Sequence, residues 1–305
     1  MSSELQPLVI VIGAARSGTT VLGRILGEVP GFVAMNEHKY LWRIGSAYKN
    51  HDARTASEAT PKTIKRIHNY CKAFQNKNGG NRIVEKTPPN CFRVEFIHKV
   101  FPDAVFIHII RNGTESILSR VNMIESERRF PITSLRWWLR MPKRILAPLP
   151  WWEKPSLLIP FLRGVRNKLP GAKRVWGENY PGWNKDKGTL SPLQFAAKSW
   201  AESVRAARQG LTAVPENQRI EIRYEELIHN HENFLNQIAQ LCKMSDDQSS
   251  QLLRIGTEEL NSKGVSKWSS NYTNSDKAEI APFVEELLLE LGYKSVHAEP
   301  QTVQQ

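Results

Sequence analysis

A short apolar run that ends in a glycine turn is the feature that most constrains how this chain can fold. The run "LVIVI", Leu8 to Ile12, consists of branched residues, and "GAARSGTT", Gly13 to Thr20, follows it directly. The next residues, "VLGRILGEV", place apolar side chains at helical spacing. A strand, a glycine turn and a helix N-terminus in this order bring backbone N–H groups together around an anion. The sequence therefore predicts a phosphate loop between a buried parallel strand and a helix.

This loop differs at one position from the pattern G-x-x-x-x-G-K-[ST] of nucleotidases. Thr19 stands where that pattern has lysine, and the nearest cation is Arg16, at the crown of the loop. A planar guanidinium suits a pair of phosphate or sulfonate oxygens. In addition, the strand "VFIHII" ends in an Arg-Asn pair and not in a magnesium-binding aspartate. Both differences disfavour a metal-dependent ATPase.

The order strand, turn, helix recurs along the chain. "RIVEKTPPN" and "AVFIHIIRNG" indicate two further strands, and helical patterns follow each of them. "RIEIRYEEL" indicates a late strand, and helices are predicted over 191–209, in two pieces over 231–255, and near 277–291. Such repetition predicts right-handed crossovers and a P-loop NTPase-like α/β fold of three layers, with helices on both sides of a central parallel sheet.

Composition narrows the partners and the compartment. Lys and Arg number 42 against 30 Asp and Glu, so the formal net charge of +12 favours anionic partners. The three cysteines, Cys71, Cys91 and Cys242, lack the spacing of metal ligands, which indicates free thiols in a reducing compartment. The N-terminus lacks the basic start of a signal peptide, and no apolar run reaches 18 residues. We expect a cytoplasmic protein without a metal site.

Two motifs together resemble a known family. "GAARSGTTVLGRIL" is similar to the 5′-phosphosulfate loop of the sulfotransferases that use 3′-phosphoadenosine 5′-phosphosulfate (PAPS), in the Arg-Ser-Gly-Thr-Thr form of tyrosylprotein and many bacterial members. The family's second signature is a strand that ends in arginine, with a serine eight residues later, and "VFIHIIRNGTESILSR" supplies Arg111 and Ser119 at that interval. Ser119 would lie about two helical turns beyond Arg111, within reach of the same anion.

The resemblance implies a reaction and a donor site. The chain would move a sulfonate group from PAPS to a hydroxyl or amine and release adenosine 3′,5′-bisphosphate. Arg111 and Ser119 would hold the 3′-phosphate, and Tyr224 of "IRYEEL" would approach the adenine. Ser266 and Lys267 of "SKGVSKWSSN" match a late loop that closes over the donor, where Trp268 would pack on the adenine or anchor the loop. The 5′ end would lie on Arg16, Ser17, Gly18, Thr19 and Thr20.

The resemblance also implies the catalytic groups. Lys86 of "EKTPPN" matches a Lys-Thr pair, but prolines follow where cytosolic members have their histidine base. "AMNEHKYLWR" resembles the region of the tyrosylprotein sulfotransferases whose glutamate follows the loop arginine by the same 21 residues that separate Glu37 from Arg16. Glu37 is the predicted base, and Lys86 the cation at the leaving phosphate. His38 is a rival base that would point away from Glu37 on an extended strand, so only one of them can face the pocket.

Residues 131–185 interrupt the pattern with paired tryptophans, frequent prolines and many cations. We interpret 1–305 as a single domain with a helical or irregular insert at 131–185. Three roles are open for the insert: a lid over the acceptor, peripheral membrane contact through 131–165, or a helical subdomain or dimer contact. The acceptor is a small molecule, glycan, lipid or peptide, no nucleic acid is expected, and the oligomeric state is open. The alternatives are a P-loop-type kinase and a basic membrane- or nucleic-acid-binding module without catalysis.

Overall fold

The computed structural model describes residues 5–38, 41–46, 48–129, 178–261 and 272–298. Within these ranges five parallel strands form one sheet in the order β2-β3-β1-β4-β5. The first strand thus lies in the centre, and the chain adds strands on one side of it before it crosses to the other. The strands are β1 Val9–Ile12, β2 Phe32–Asn36, β3 Arg82–Lys86, β4 Val105–Ile110 and β5 Arg219–Arg223.

Ten helices surround the sheet in the described ranges, and the predicted α/β class is confirmed. Three of them begin with a Ser or Thr whose side chain accepts a bond from the first turn, which satisfies an N–H that the helix itself leaves unpaired. The helices are α1 Thr19–Glu28, α2 Pro61–Lys77, α3 Val94–Val100, α4 Gly113–Arg129, α5 Trp183–Thr189, α6 Pro192–Leu211, α7 Tyr224–His229, α8 His231–Leu241, α9 Asp246–Asn261 and α10 Asn274–Glu290.

The alternation of side chains along β1 explains why helices cover both faces of the sheet. Ile10 and Ile12 join a core with α2, α3 and the end of α6, whereas Val9 and Val11 join a second core with α1, α8 and α9. A strand with apolar residues on both faces needs a layer on each side, as its continuous apolar run predicts. A third core joins α4, α6 and α10. None of the helices in these ranges is long and apolar enough to cross a membrane.

Local features of the backbone explain where several elements begin and end. β2 ends at Asn36, because Glu37 has a left-handed backbone (φ 52°) and leaves the strand direction. "CFRVEFIHKVFP" is only partly α-helical, since Pro88–Arg93 forms a 3-10 turn before α3 begins. β5 stops at Arg223, and α7 begins at Tyr224. Helix α5 begins at Trp183, near the end of the 131–185 insert, while residues 130–177 lie outside the described ranges.

We predict that Gly27→Ala destabilises the fold. A Cβ at Gly27, in α1, would lie 2.9 Å from the backbone nitrogen of Ala34 in β2, so strand or helix must shift. Overpacking costs about 1–3 kcal/mol, which exceeds or cancels the helix propensity that alanine gains. Urea unfolding should show a lower free energy of unfolding. Gly188→Ala, in α5 with open space around its Cβ, is the control and should not lose stability.

Candidate active site

The loop from Gly13 to Gly18 connects the end of β1 to the start of α1. Gly18 is the N-cap of the helix, with φ 94°. A Cβ there would meet the ring of Tyr224, so both the backbone angle and the contact require glycine. Thr19 is buried with its methyl group towards Gly13, whereas Thr20 is exposed. The position that carries lysine in nucleotidases is thus buried in this chain. Arg16 and Thr20, by contrast, are exposed.

Arg16 and the predicted 3′-phosphate pair come together at the crown of this loop. Arg16 has a left-handed backbone (φ 73°), and its Nε donates to Ser119 Oγ at 2.9 Å. Arg111 Nη1 donates to the carbonyl oxygen of Arg16 at 3.3 Å. Burial, and next the charges of Arg111 and Arg120, lower the pKa of the Arg16 guanidinium. Arg111 and Arg120 therefore both repel Arg16, which favours an anion in this place.

Arg111 follows β4 and is held from two sides. Its Nη2 forms an ion pair with Glu115 at 2.7 Å, one turn into α4. Its guanidinium lies 4.9 Å from the centre of the Tyr224 ring, within the range of a cation–π contact. Burial is also the main cause that raises the pKa of Tyr224. The structure therefore brings the predicted residues Arg16, Arg111, Ser119 and Tyr224 together around the loop.

Lys86 and Glu37 form a second part of the site, at the end of the neighbouring strand β3. Lys86 Nζ donates to Glu37 Oε1 at 3.1 Å, and the backbone N–H of Glu37 donates to Lys86 O at 2.9 Å. The Lys86 side chain is 3% exposed and passes Gly23 of α1, whereas Glu37 is 44% exposed. The buried ammonium thus fixes an accessible carboxylate.

His38 points to a different part of the protein. Its Nδ1 lies 2.7 Å from Tyr70 Oη, and its ring packs edge-on against the rings of Tyr70 and Phe74. Both of these aromatic residues belong to α2. Burial lowers the pKa of His38, so the neutral imidazole is favoured. The two side chains diverge as expected, but the reason is the left-handed backbone of Glu37 and not strand alternation.

Two buried carboxylates of the site region were missed by the sequence analysis. Glu85, next to Lys86 in β3, accepts bonds from Trp42 Nε1 at 3.0 Å and from the side chains of Thr87 and Asn90. Burial raises its pKa to about 7, against the opposing effect of these donors. In the sequence "RIVEK", the one sign that this carboxylate is buried is its place between the apolar residues and the strand end.

Glu178 is the second of these carboxylates. Its Oε1 accepts the backbone N–H of Ala15 in the loop at 2.6 Å, and its Oε2 pairs with Arg120 at 2.8 Å. Glu178 belongs to "VWGENYPGW", near the end of the 131–185 insert. No motif spacing connects it to a loop more than 160 residues earlier, so its role could be found only in the folded chain.

Other predicted residues lie outside the described ranges. Ser266 and Lys267 fall in 262–271, as does Trp268, and most of the insert falls in 130–177. Where side chains are described, no group of three or more His, Cys, Asp or Glu is placed to hold a metal ion. Cys71, Cys91 and Cys242 are free and buried.

Taken together, the fold and the site define a P-loop-like α/β protein. At the carboxyl edge of its sheet, cationic side chains form a site that suits an anion. The comparisons agree with this class. Residues 7–148 match the model of the sulfotransferase family. This segment, which carries the loop, Lys86, Arg111 and Ser119, is thus similar to the sulfotransferase family.

Solved structures show the same fold. A sulfotransferase from Alicyclobacillus acidocaldarius is 16% identical, with 95% of this chain and 98% of the other covered and a TM-score of 0.50. A sulfotransferase from Mycobacterium avium is 12% identical, with 97% and 79% covered and a TM-score of 0.52. At these identities the likeness concerns the fold. A comparison with curated protein sequences gave no match.

Glu85 predicts a pH dependence of stability. Its carboxyl has a pKa of about 7 in the folded chain and an ordinary value of 4.5, so the folded state binds more protons between these values. The contribution of Glu85 to the free energy of unfolding should therefore be highest below pH 4.5 and be lost as the pH rises through about 7.

Glu85→Gln, which cannot ionise, should remove this slope. Urea unfolding at pH 5 and pH 8 measures this slope. The free energy of unfolding of the variant, relative to that of the unmodified protein, should be higher at pH 8 than at pH 5. Glu95→Gln, at an exposed position of α3, is the control for a general charge effect. An equal difference between Glu85→Gln and the unmodified protein at both pH values would contradict the prediction.

Proposed function

We propose that this protein is a sulfotransferase, which moves a sulfonate group from PAPS to a hydroxyl or amine of an acceptor by in-line displacement. One observation carries the proposal: Arg16, Arg111 and Ser119 converge at the crown of a glycine loop, beside a Lys86–Glu37 pair. An anion-binding loop next to an accessible carboxylate supplies what such a transfer needs, namely a hold on the donor and a base for the acceptor.

The donor would lie across the carboxyl edge of the sheet, with its two anionic ends separated. Loop N–H groups and the side chains of Ser17, Thr19 and Thr20 would hold the 5′ end, as the resemblance implies. Arg111 and Ser119 would hold the 3′-phosphate, and Tyr224 would contact the adenine. Arg16, whose Nε already reaches Ser119, would lie between the two ends and serve both. Ser266 and Lys267 would add phosphate contacts from the late loop.

In the transfer step, the acceptor oxygen or nitrogen attacks sulfur while the bond from sulfur to the bridging phosphate oxygen breaks. The acceptor proton goes to the Glu37 carboxylate, and adenosine 3′,5′-bisphosphate leaves. Lys86, buried and fixed beside Glu37, would place its ammonium against the negative charge that develops on the bridging oxygen. Arg16 would stabilise the peripheral oxygens. Cationic side chains thus supply the charge neutralisation in this proposal, and no metal is included.

The insert at 131–185 would form the acceptor side of a single domain that spans 1–305. Its last residues support this, because the backbone N–H of Asn179 donates to Asp52 and Trp183 Nε1 donates to Asn50 O, in the segment that follows Glu37. Small molecules, glycans, lipids and peptides all stay open as acceptors. Peripheral membrane contact through 131–165 would fit a lipid acceptor.

We predict that Arg111→Ala weakens the hold on the nucleotide. The variant loses charge-assisted bonds to the 3′-phosphate, so the Kd of adenosine 3′,5′-bisphosphate should rise by about 10- to 100-fold. Isothermal titration calorimetry measures this. Arg254→Ala, on the exposed face of α9, removes the same charge away from the site and should leave the Kd unchanged. Loss of all binding on addition of EDTA would instead favour a magnesium-dependent kinase.

We predict that Glu37→Gln abolishes transfer and retains donor binding. The amide cannot accept the proton, and removal of a general base costs about 10²- to 10⁴-fold in rate. Transfer of ³⁵S from labelled PAPS to a panel of hydroxyl and amine compounds gives turnover, and calorimetry gives bisphosphate affinity. His38→Gln is the matched control and should keep most of the turnover. Near-normal turnover of Glu37→Gln would exclude this residue as the base.

A further inference from the structure

Glu178 is a fully buried carboxylate that contacts the phosphate loop itself. It is 1% exposed and accepts three bonds: from Ala15 N at 2.6 Å, from Arg120 Nη2 at 2.8 Å and from Ser199 Oγ at 3.1 Å. These donors come from the loop, α4 and α6. A buried carboxylate is costly unless such donors satisfy it, so this arrangement is a specific one.

The Ala15 bond is unusual for a site that binds anions. Loop N–H groups attract the negative ligand, yet a protein carboxylate takes one of them. Arg120, also 1% exposed, balances that charge, and it follows Ser119 directly in α4. Ser119 meets Arg16 while Arg120 meets Glu178, so neighbouring residues of one helix contact both sides of the crown.

We propose that Glu178 is a positioning residue that holds the crown of the phosphate loop in its donor-binding conformation. By fixing Ala15 N–H, it stabilises the left-handed backbone of Arg16 and so directs the guanidinium towards Ser119. A non-glycine residue keeps such a backbone only where its surroundings determine it. This inference rests on the proposed function, because the conformation matters through the donor that it receives.

The residues after Glu178 keep the carboxylate in place. Asn179 exchanges two bonds with Asp52: its N–H donates to Asp52 Oδ2 at 2.9 Å, and its carbonyl accepts from the Asp52 N–H at 2.7 Å. Asp52 thus anchors the chain at the residue that directly follows Glu178.

A simpler role predicts a different result. If Glu178 only neutralised Arg120, its replacement by glutamine would leave an additional positive charge beside the loop, and an anion would bind more tightly. A positioning role predicts weaker binding, because the loop loses its hold. It also predicts faster hydrogen exchange at the Ala15 amide in the absence of ligand.

The test compares Glu178→Gln with Asp186→Asn. The Asp186 variant is the matched control, since Asp186 lies on the same segment and pairs with Lys198 of the same helix α6, but its side chain bonds to Tyr180 and Lys198 and not to the loop. For Glu178→Gln we expect faster exchange in the peptide that contains Gly13–Thr20 and a bisphosphate Kd raised about tenfold, which corresponds to about 1.4 kcal/mol. Asp186→Asn should change neither quantity. Unchanged exchange, or tighter binding, would overturn the proposal.

Ser199→Ala guards against a variant that does not fold. It removes one donor to Glu178 and keeps the Arg120 pair, so the same two quantities should change in the same direction by a smaller factor. Ligand-free exchange also separates the two proposals. If the unmodified protein fails to bind adenosine 3′,5′-bisphosphate while Glu178→Gln still loosens the loop, the donor is wrong and the positioning role holds. If Ser199→Ala and Glu178→Gln both leave loop exchange unchanged, the positioning role is wrong.

Discussion

Repulsion of Arg16 by two other arginines at the carboxyl edge of the sheet is the constraint on which the rest of the site depends. Burial lowers the pKa of the Arg16 guanidinium most, and the charges of Arg111 and Arg120 lower it further. Two carboxylates offset part of this repulsion: Glu115 pairs with Arg111, and Glu178 pairs with Arg120. Arg16 itself, the most exposed of the three, retains the charge that a phosphate or sulfonate would neutralise.

This charge can gather in one place because of the parallel sheet. The ends of β1, β3 and β4 lie side by side, so Gly13, Lys86 and Arg111 lie at the same edge of the sheet although they are far apart in sequence. Two helices then place further groups around this edge. The start of α1 provides the loop N–H groups and the positive end of the helix dipole, and α4 provides Ser119 and Arg120. Ligand sites of doubly wound sheets arise at this edge for the same reason.

The sequence predicted the parts of the site that depend on local order. The interval from Arg111 to Ser119 is set by helix geometry, and the loop is set by its glycines, so both could be read before the fold was known. Glu178 could not, because its partners Ala15 and Ser199 are brought to it by packing of the whole chain. Glu85 was missed for a related reason: a strand pattern does not show that its carboxylate is buried under Trp42.

The two charged residues at the end of β3 illustrate how the sheet separates structural from chemical roles. Strand alternation turns Glu85 to one face, where Trp42, Thr87 and Asn90 satisfy it, and turns Lys86 to the other, towards α1 and Glu37. Because two of its donors, Thr87 and Asn90, lie on the turn that follows β3, Glu85 fixes the strand end and therefore the direction of the Lys86 side chain. In the proposed mechanism, the ammonium of Lys86 would exchange the Glu37 carboxylate for an oxygen of the donor. The accessible carboxylate would then be available as the base for the acceptor, so one ion pair would serve both the resting site and the transfer step.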